Sequence, residues 1–174
     1  MQRECTLAAG DVDSVRNLLL PAGIVAGMVA GAASAADAPS LADSCFTASY
    51  DRDYLAVHSG QRVAKISANF QEFDNSLLIG VIYKLRYGTT YGFSGACYTK
   101  TVEGFLCEAC VNQNCQTSGG QFEVGWAGGN IVRIVNDLTG LLAKNAAGGR
   151  DYLAAGGGDS EFALRRASSS ACTH

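Results

Sequence analysis

His58 is the single histidine in the part of the chain that reads as a folded domain, so Ser–His or Cys–His catalysis would have to run through it. Its candidate carboxylate partners are Asp51 and Asp53, just upstream. A Gly-x-Ser-x-Gly nucleophile elbow is missing, because Tyr91-Gly92-Phe93-Ser94-Gly95 has the wrong spacing. Tyr54 stands four residues before His58, which on a helical turn puts both side chains on one face. Gln61 follows where a strand begins. Tyr54, His58 and Gln61 are the candidate ligand-binding set, and the same three suit a second role, pinning the turn onto a sheet. No catalytic residue is assigned.

The remaining carboxylates point to structure. Asp51 and Asp53 precede a helical turn, where acids complement the N-terminal dipole. Asp159 and Glu161 follow Gly156-Gly157-Gly158, but a calcium loop needs about five or more oxygen donors in a tight run. The same glycines lack a following helix whose N-terminus would hold a phosphate. No cofactor is expected.

Cysteine chemistry is the strongest signal. Of 7 cysteines, Cys5 falls in a leader, which leaves Cys45, Cys97, Cys107, Cys110, Cys115 and Cys172. An even set in an exported domain reads as a disulfide framework, and six cysteines allow about 15 connectivities. One is favoured. Cys97 and Cys107 lie symmetrically about residues 101–103, where a hairpin turn would set them opposite each other. Cys110 and Cys115 close a small local loop. Cys45 and Cys172 bracket the domain, and a bridge closing so long a loop contributes about 4 kcal/mol in the chain-entropy model.

Zinc is the alternative, through Cys107-x-x-Cys110-x4-Cys115 with His58 or His174 as fourth ligand. The second half of such a pattern is missing, and an oxidising compartment favours bridges over thiolates, so no metal is expected. A redox role for Cys107 and Cys110 would need a helix after the first cysteine, and these flanks are β-like.

The elements that must position these residues begin with a leader. Residues 18–36 read LLLPAGIVAGMVAGAASAA, uncharged and ending in the small-x-small pattern Ala33-Ser34-Ala35. Cleavage after Ala35 makes residues 1–35 a signal peptide and residues 36–174 a single domain. A retained anchor would want about 20 strongly apolar residues, whereas this stretch holds Pro21, glycines and many alanines. Residues 1–14 carry Glu4, Asp11 and Asp13 against Arg3 alone, the wrong sign for a leader, and read as an over-extended start. Leu41-Ala42-Asp43-Ser44-Cys45 has a lipobox outline, but it lies past the apolar run with Asp at the −2 position. The expected location is periplasmic or secreted, with no membrane span after cleavage.

Within the domain, strict alternation marks strands. Ala64, Ile66, Ala68 and Phe70 share one face, opposite Lys65, Ser67, Asn69 and Gln71. Residues 77–87 form the strongest strand, with the odd positions buried and the first half of the even face buried as well. Shorter strands are predicted near Cys45-Phe46-Thr47 and over 91–99, 103–108, 121–126, 131–135 and 161–166. Asp74-Asn75-Ser76, Gly88-Thr89-Thr90 and Ala127-Gly128-Gly129-Asn130 are turns. Asp51 caps a helical turn over 51–59, with Gly60 as its stop. Residues 144–159, crowded with glycine, read as one long loop. The expected fold is all-β: a single small disulfide-bonded β-sandwich or barrel of about eight short strands with one short helical turn.

The segment from Asp53 to Val63, DYLAVHSGQRV, resembles a stretch of small exported bacterial proteins of unknown function that reads Y-L-A-x-H-P-x-Q-x-V. Cys45, Cys97, Cys107 and Gly119-Gly120 are compatible with the layout of those proteins, and Ser59 replaces the motif's proline. The resemblance implies export and a cysteine framework, and it carries no activity.

A net charge of −3 without charge runs removes the electrostatic footprint of a nucleic-acid binder. The function expected is a non-enzymatic binding or inhibitor-like module of the envelope or periplasm. Its partner is another envelope protein or a small ligand, recognised through the 144–159 loop on a rigid scaffold. Two other classes compete with it. One is a small hydrolase or carbohydrate-active enzyme using His58 with Asp51 or Asp53. The other is a lipocalin-like carrier, its cavity lined by Tyr83, Tyr87, Tyr91, Phe93 and Trp126.

Overall fold

The computed structural model describes residues 40–74, 76–100, 104–110, 118–136 and 140–172. The expected signal peptide, Asn75, Cys115 and His174 lie outside the described residues. In chain order the elements are β1 (Ser44–Ser49), α1 (Arg52–Val57), β2 (Val63–Phe73), β3 (Ser76–Leu85), β4 (Thr90–Lys100), β5 (Gly104–Cys110), β6 (Ser118–Trp126), β7 (Ile131–Asn136), β8 (Leu141–Lys144), β9 (Arg150–Leu153) and β10 (Glu161–Ala167). A single 3-10 turn, Ser169–Ala171, follows β10.

Every strand from β1 to β7 pairs antiparallel with the next, and β10 pairs with both β7 and β1. Eight strands therefore close on themselves as an up-and-down barrel, which decides between sandwich and barrel. The β8–β9 hairpin is inserted between β7 and β10 and joins the wall where Lys144 pairs with Gly92 of β4.

Alternation explains which way each wall residue faces. Ile66, Ala68 and Phe70 of β2 point inward with Ile79, Val81 and Tyr83 of β3, and all six are buried. A bulge between Val63 and Lys65 shifts the start of β2. Val63 is thereby buried and Ala64 only half-buried, the reverse of simple alternation. Ser67, expected on the outer face, is buried as well. On β3 the even face is half-buried at Leu78, Gly80 and Ile82. The strand ends at Leu85, two residues short of Tyr87, which sits in the turn and is 83% exposed.

An eight-stranded barrel is just wide enough for side chains to fill its interior. Phe46, Phe70, Phe122 and Phe162 are all buried there, with Val124, Ile134 and Leu164 between them. Phe46 meets Phe70 edge to face at 5.7 Å, and Phe93 meets Phe122 at 5.5 Å. Of the five aromatics proposed as a cavity lining, Tyr83 and Phe93 are buried in this packed core, and Tyr91 and Trp126 pack against it. Tyr87 points away into solvent.

The disulfides staple the wall as the spacing predicts. Cys45–Cys172 ties β1 to the 3-10 turn that follows β10. Cys97–Cys107 joins residues directly paired across β4 and β5. Cys110 is also disulfide-bonded, and its expected partner Cys115 lies outside the described residues. Bridging takes Cys107 out of any zinc knuckle.

Residues 144–159 are not one loop. They contain the end of β8 and all of β9, and Leu141, Ala143 and Leu153 enter the core. Four-residue strands are too short for alternation to register, and the glycine at the tip, Gly148 with φ +81°, supplies the hairpin turn.

Candidate functional site

The end of the barrel that carries α1 gathers most of the polar chemistry. Asp51 caps α1, its Oδ1 accepting from the Tyr54 N–H at 2.7 Å, so this carboxylate is spent on the backbone. The helix ends at Val57 with His58 as its C-cap. Gly60 is therefore not the stop residue. Only Leu55 of the helix is buried; Val57 is 77% exposed.

The rings of Tyr50, Tyr54 and His58 form one stack. Tyr50 and Tyr54 lie 5.1 Å apart, and Tyr54 and His58 lie 3.9 Å apart with their planes within 14°. Helical spacing sets Tyr54 beneath His58 at the end of α1, while Tyr50 reaches Tyr54 from the extended segment before the helix. The His58 Nδ1 stands 2.9 Å from the Tyr54 carbonyl oxygen. A carbonyl only accepts, so Nδ1 carries the proton, and Nε2 of the neutral ring is left as an acceptor. Tyr50 did not stand out in the sequence, because it precedes the helix cap and no periodicity links it to Tyr54. Burial, then the neighbouring Tyr54, push the Tyr50 hydroxyl above its ordinary pKa.

Gln61 does not join this exposed face. It is 5% exposed, and its Nε2 donates to the Val63 carbonyl at 3.1 Å. Its side chain also acts on Tyr50, partly offsetting the rise of that hydroxyl's pKa. The Arg86 Nη2 donates to the carbonyls of Ser59, at 3.2 Å, and Gln61. This guanidinium holds the segment between α1 and β2 in place.

A second polar cluster locks the hairpin insertion to the start of β2. Asp159, 3% exposed, accepts from the backbone N–H groups of Arg62 and Val63, each at 3.0 Å. It also accepts from Arg62 Nε at 3.2 Å. The same guanidinium reaches Asp151 Oδ1 at 3.0 Å and the Tyr152 carbonyl at 2.8 Å. Tyr83 donates from the barrel wall to Asp151 Oδ2 at 2.9 Å. Desolvation works against the Arg62 charge, but Asp151 and then Asp159 outweigh it and hold its pKa above the ordinary value. Burial, then Asp151, push the Tyr83 hydroxyl far up.

Asp159 and Glu161 do not form a carboxylate pair. Glu161 faces Arg133 at 3.7 Å, both half-exposed. Neither Arg62 nor Asp151 stood out in the sequence, because their contacts span residues 62 to 159 and leave no local pattern.

Comparison with protein-family models, with curated proteins and with solved structures finds no match for the chain. The disulfides fit an oxidising, non-cytoplasmic setting, and no helix among the described residues is long and apolar enough to cross a membrane.

Proposed function

We propose that this protein is an exported, non-enzymatic recognition module that contacts another envelope protein through the exposed face of α1. The observation that carries this reading is the Tyr50–Tyr54–His58 stack. It is a rigid, half-exposed aromatic surface beside the bare side chain of Val57, of the kind enriched where proteins meet. The 144–159 segment suits the recognition role less well than α1, because its first part forms the β8–β9 hairpin and Asp159 at its end is bonded to Arg62 and Val63.

Geometry also weighs against the competing classes. The His58 imidazole is turned to the Tyr54 carbonyl and Asp51 is occupied by the α1 cap, which argues against a His58–Asp51 pair. A carrier needs an empty barrel, whereas this interior is packed with phenylalanine.

The test is a photo-crosslinking amino acid at position 57 in the living source cell, with position 150 on the β8–β9 hairpin as control. The reading requires one discrete adduct from position 57, absent from position 150 and lost when Tyr54→Ala and His58→Ala are combined. Identical adducts from both positions, or none, overturn it. Turnover of a substrate that His58→Ala abolishes would move the protein to the hydrolase class.

A further inference from the structure

The outer wall of the barrel carries one arrangement that folding alone disfavours. Lys65 on β2 and Lys84 on β3 are direct partners in the register, and both are exposed. Adjacent strands lie about 4.8 Å apart, and like charges set directly opposite each other destabilise a sheet. The same row ends in a hydroxyl on either side. Ser49 of β1 pairs with Lys65 and Thr90 of β4 pairs with Lys84, each exposed. Directly paired residues share a face, so four neighbouring strands present hydroxyl, ammonium, ammonium and hydroxyl side by side.

The bulge between Val63 and Lys65 makes the lysine pair. Val63 stands opposite Leu85, and an unbroken register from there would set Ala64 against Lys84 and turn Lys65 inward beside Tyr83. The extra residue instead brings Lys65 to Lys84. Bulges are enriched next to functional sites because they re-aim a side chain in this way. This one is held in place, since Asp159 accepts from the backbone N–H groups of Arg62 and Val63. The wall supplies no compensating charge. Outward positions of β1 to β4 hold no carboxylate among the described residues, and Glu72 lies on the inward row at the far end of β2. Asp51, just past β1, is turned to the Tyr54 N–H.

Two neighbouring ammonium groups match a doubly charged oxyanion. A phosphate monoester carries close to two negative charges at neutral pH, with three acceptor oxygens. A carboxylate or a sulfate ester brings one charge and leaves the repulsion between the lysines partly in place. The hydroxyls of Ser49 and Thr90 can donate to the oxygens that the lysines do not take. The row lies on an exposed wall, so it grips a terminal group while the rest of the ligand stays in solvent.

We infer that the Ser49–Lys65–Lys84–Thr90 row binds a phosphate monoester at the end of a larger molecule, a sugar phosphate or a lipid headgroup. The row shares no residue with the α1 face, so the two proposals stand or fall separately.

The experiment is an NMR titration of the disulfide-bonded, isotope-labelled protein with glucose 6-phosphate, glucose 6-sulfate and glucose, at about pH 7.5 where the phosphate is doubly charged. Saturable shifts are expected at the amides of Ser49, Lys65, Lys84 and Thr90 with the phosphate. The sulfate should bind at least about tenfold more weakly, and Lys65→Gln and Lys84→Gln should each weaken the phosphate by about tenfold. Arg165→Gln, which removes an exposed cation from β10, should change the affinity by less than about twofold. Each lysine replacement relieves a like-charge pair, so neither should lower the melting temperature, and lost binding is then not lost folding. Phosphatidylcholine vesicles with and without phosphatidic acid separate the two sources. Sedimentation with the phosphatidic acid vesicles that Lys84→Gln abolishes assigns the phosphate to a lipid, and binding of glucose 6-phosphate without it assigns a sugar phosphate. Binding to neither source, equal affinity for the sulfate, shifts that gather at Tyr54 and His58, or an Arg165→Gln loss as large as that of the lysine variants overturns the assignment.

Discussion

The hydroxyl of Tyr83 and the carboxylate of Asp151 meet at 2.9 Å, and through this contact the barrel wall holds the inserted hairpin. Tyr83 comes from the middle of a long, easily recognised strand, and Asp151 from one of four residues. The neutral hydroxyl is held by burial and by the adjacent negative charge, so its folded-state pKa lies above the ordinary 10.0. An unfolded chain releases that proton first. The stability supplied by the protonated hydroxyl is therefore complete below about pH 10 and drains as pH rises towards the folded value. Each such proton steepens the loss by about 1.4 kcal/mol per pH unit. In urea denaturation between about pH 9 and 11, Tyr83→Phe should flatten the decline by about half a proton on average, approaching one proton at the upper end. An unchanged slope would show that the hydroxyl ionises in place. Tyr50 is raised in the same direction and keeps a residual slope in the variant.

Asp159 and Asp151 share Arg62 but should not be equivalent. Asp159 is the more buried and serves two backbone N–H groups at the bulged start of β2. Asp159→Asn keeps the shape, yet it turns one acceptor into a donor facing those groups. A loss of about 2–3 kcal/mol is expected, against about 1 kcal/mol for Asp151→Asn. Chemical denaturation at neutral pH ranks the two, and a reversed order would mean that Asp151 anchors the latch.

Two adjacent glycines give opposite predictions. A Cβ at Gly158 would stand 2.4 Å from the Gln61 nitrogen and 2.5 Å from the Gly60 carbonyl carbon. At Gly157 the nearest atom is the Ala154 carbonyl oxygen, 3.9 Å away. Gly158→Ala should push the loop off β2 and cost about 2 kcal/mol or more, while Gly157→Ala should stabilise by about 0.5 kcal/mol by restricting the unfolded chain. Thermal melts of the two variants decide it.

Bridge removal should follow loop length. Cys45–Cys172 spans 127 residues and Cys97–Cys107 spans 10. Replacing each pair by alanine should cost roughly 4–5 kcal/mol for the first and about 3 kcal/mol for the second in the chain-entropy model. Equal losses, read from denaturation midpoints, would instead assign the stabilisation to local packing.

Legibility in the sequence tracked the range of the interaction. Alternation identified β2 and β3, because Ile66, Ala68 and Phe70 repeat with the period that the wall imposes. Asp51 was readable as a cap because capping is decided within three residues. The Cys97–Cys107 pairing was readable because a hairpin is local, and Cys45–Cys172 because each cysteine stood near one end of the domain. The β8–β9 hairpin escaped notice because LLAK and RDYL are too short to show a period, and their glycine-rich flanks suggested a loop. The latch between Arg62, Asp151 and Asp159 was invisible for a different reason: nothing in the composition of a distant loop says which backbone N–H groups it will meet. Tyr54 and His58 were found by spacing, whereas Gln61 is buried and bonded to the Val63 carbonyl, which the motif could not show.

Closure through β1 and β10 has a consequence for how the protein is made. The first strand waits for the last, so the barrel has no finished wall until Ala167 has emerged beside Cys45. A chain that still lacks β10 can form hairpins, but it remains an open sheet with two raw edges, each able to capture a neighbour. Closure is therefore the last step of assembly, and oxidation of Cys45 with Cys172 marks its completion. A truncation that removes only β10 would take with it the partner of both β1 and β7, leaving the other strands nothing to close against.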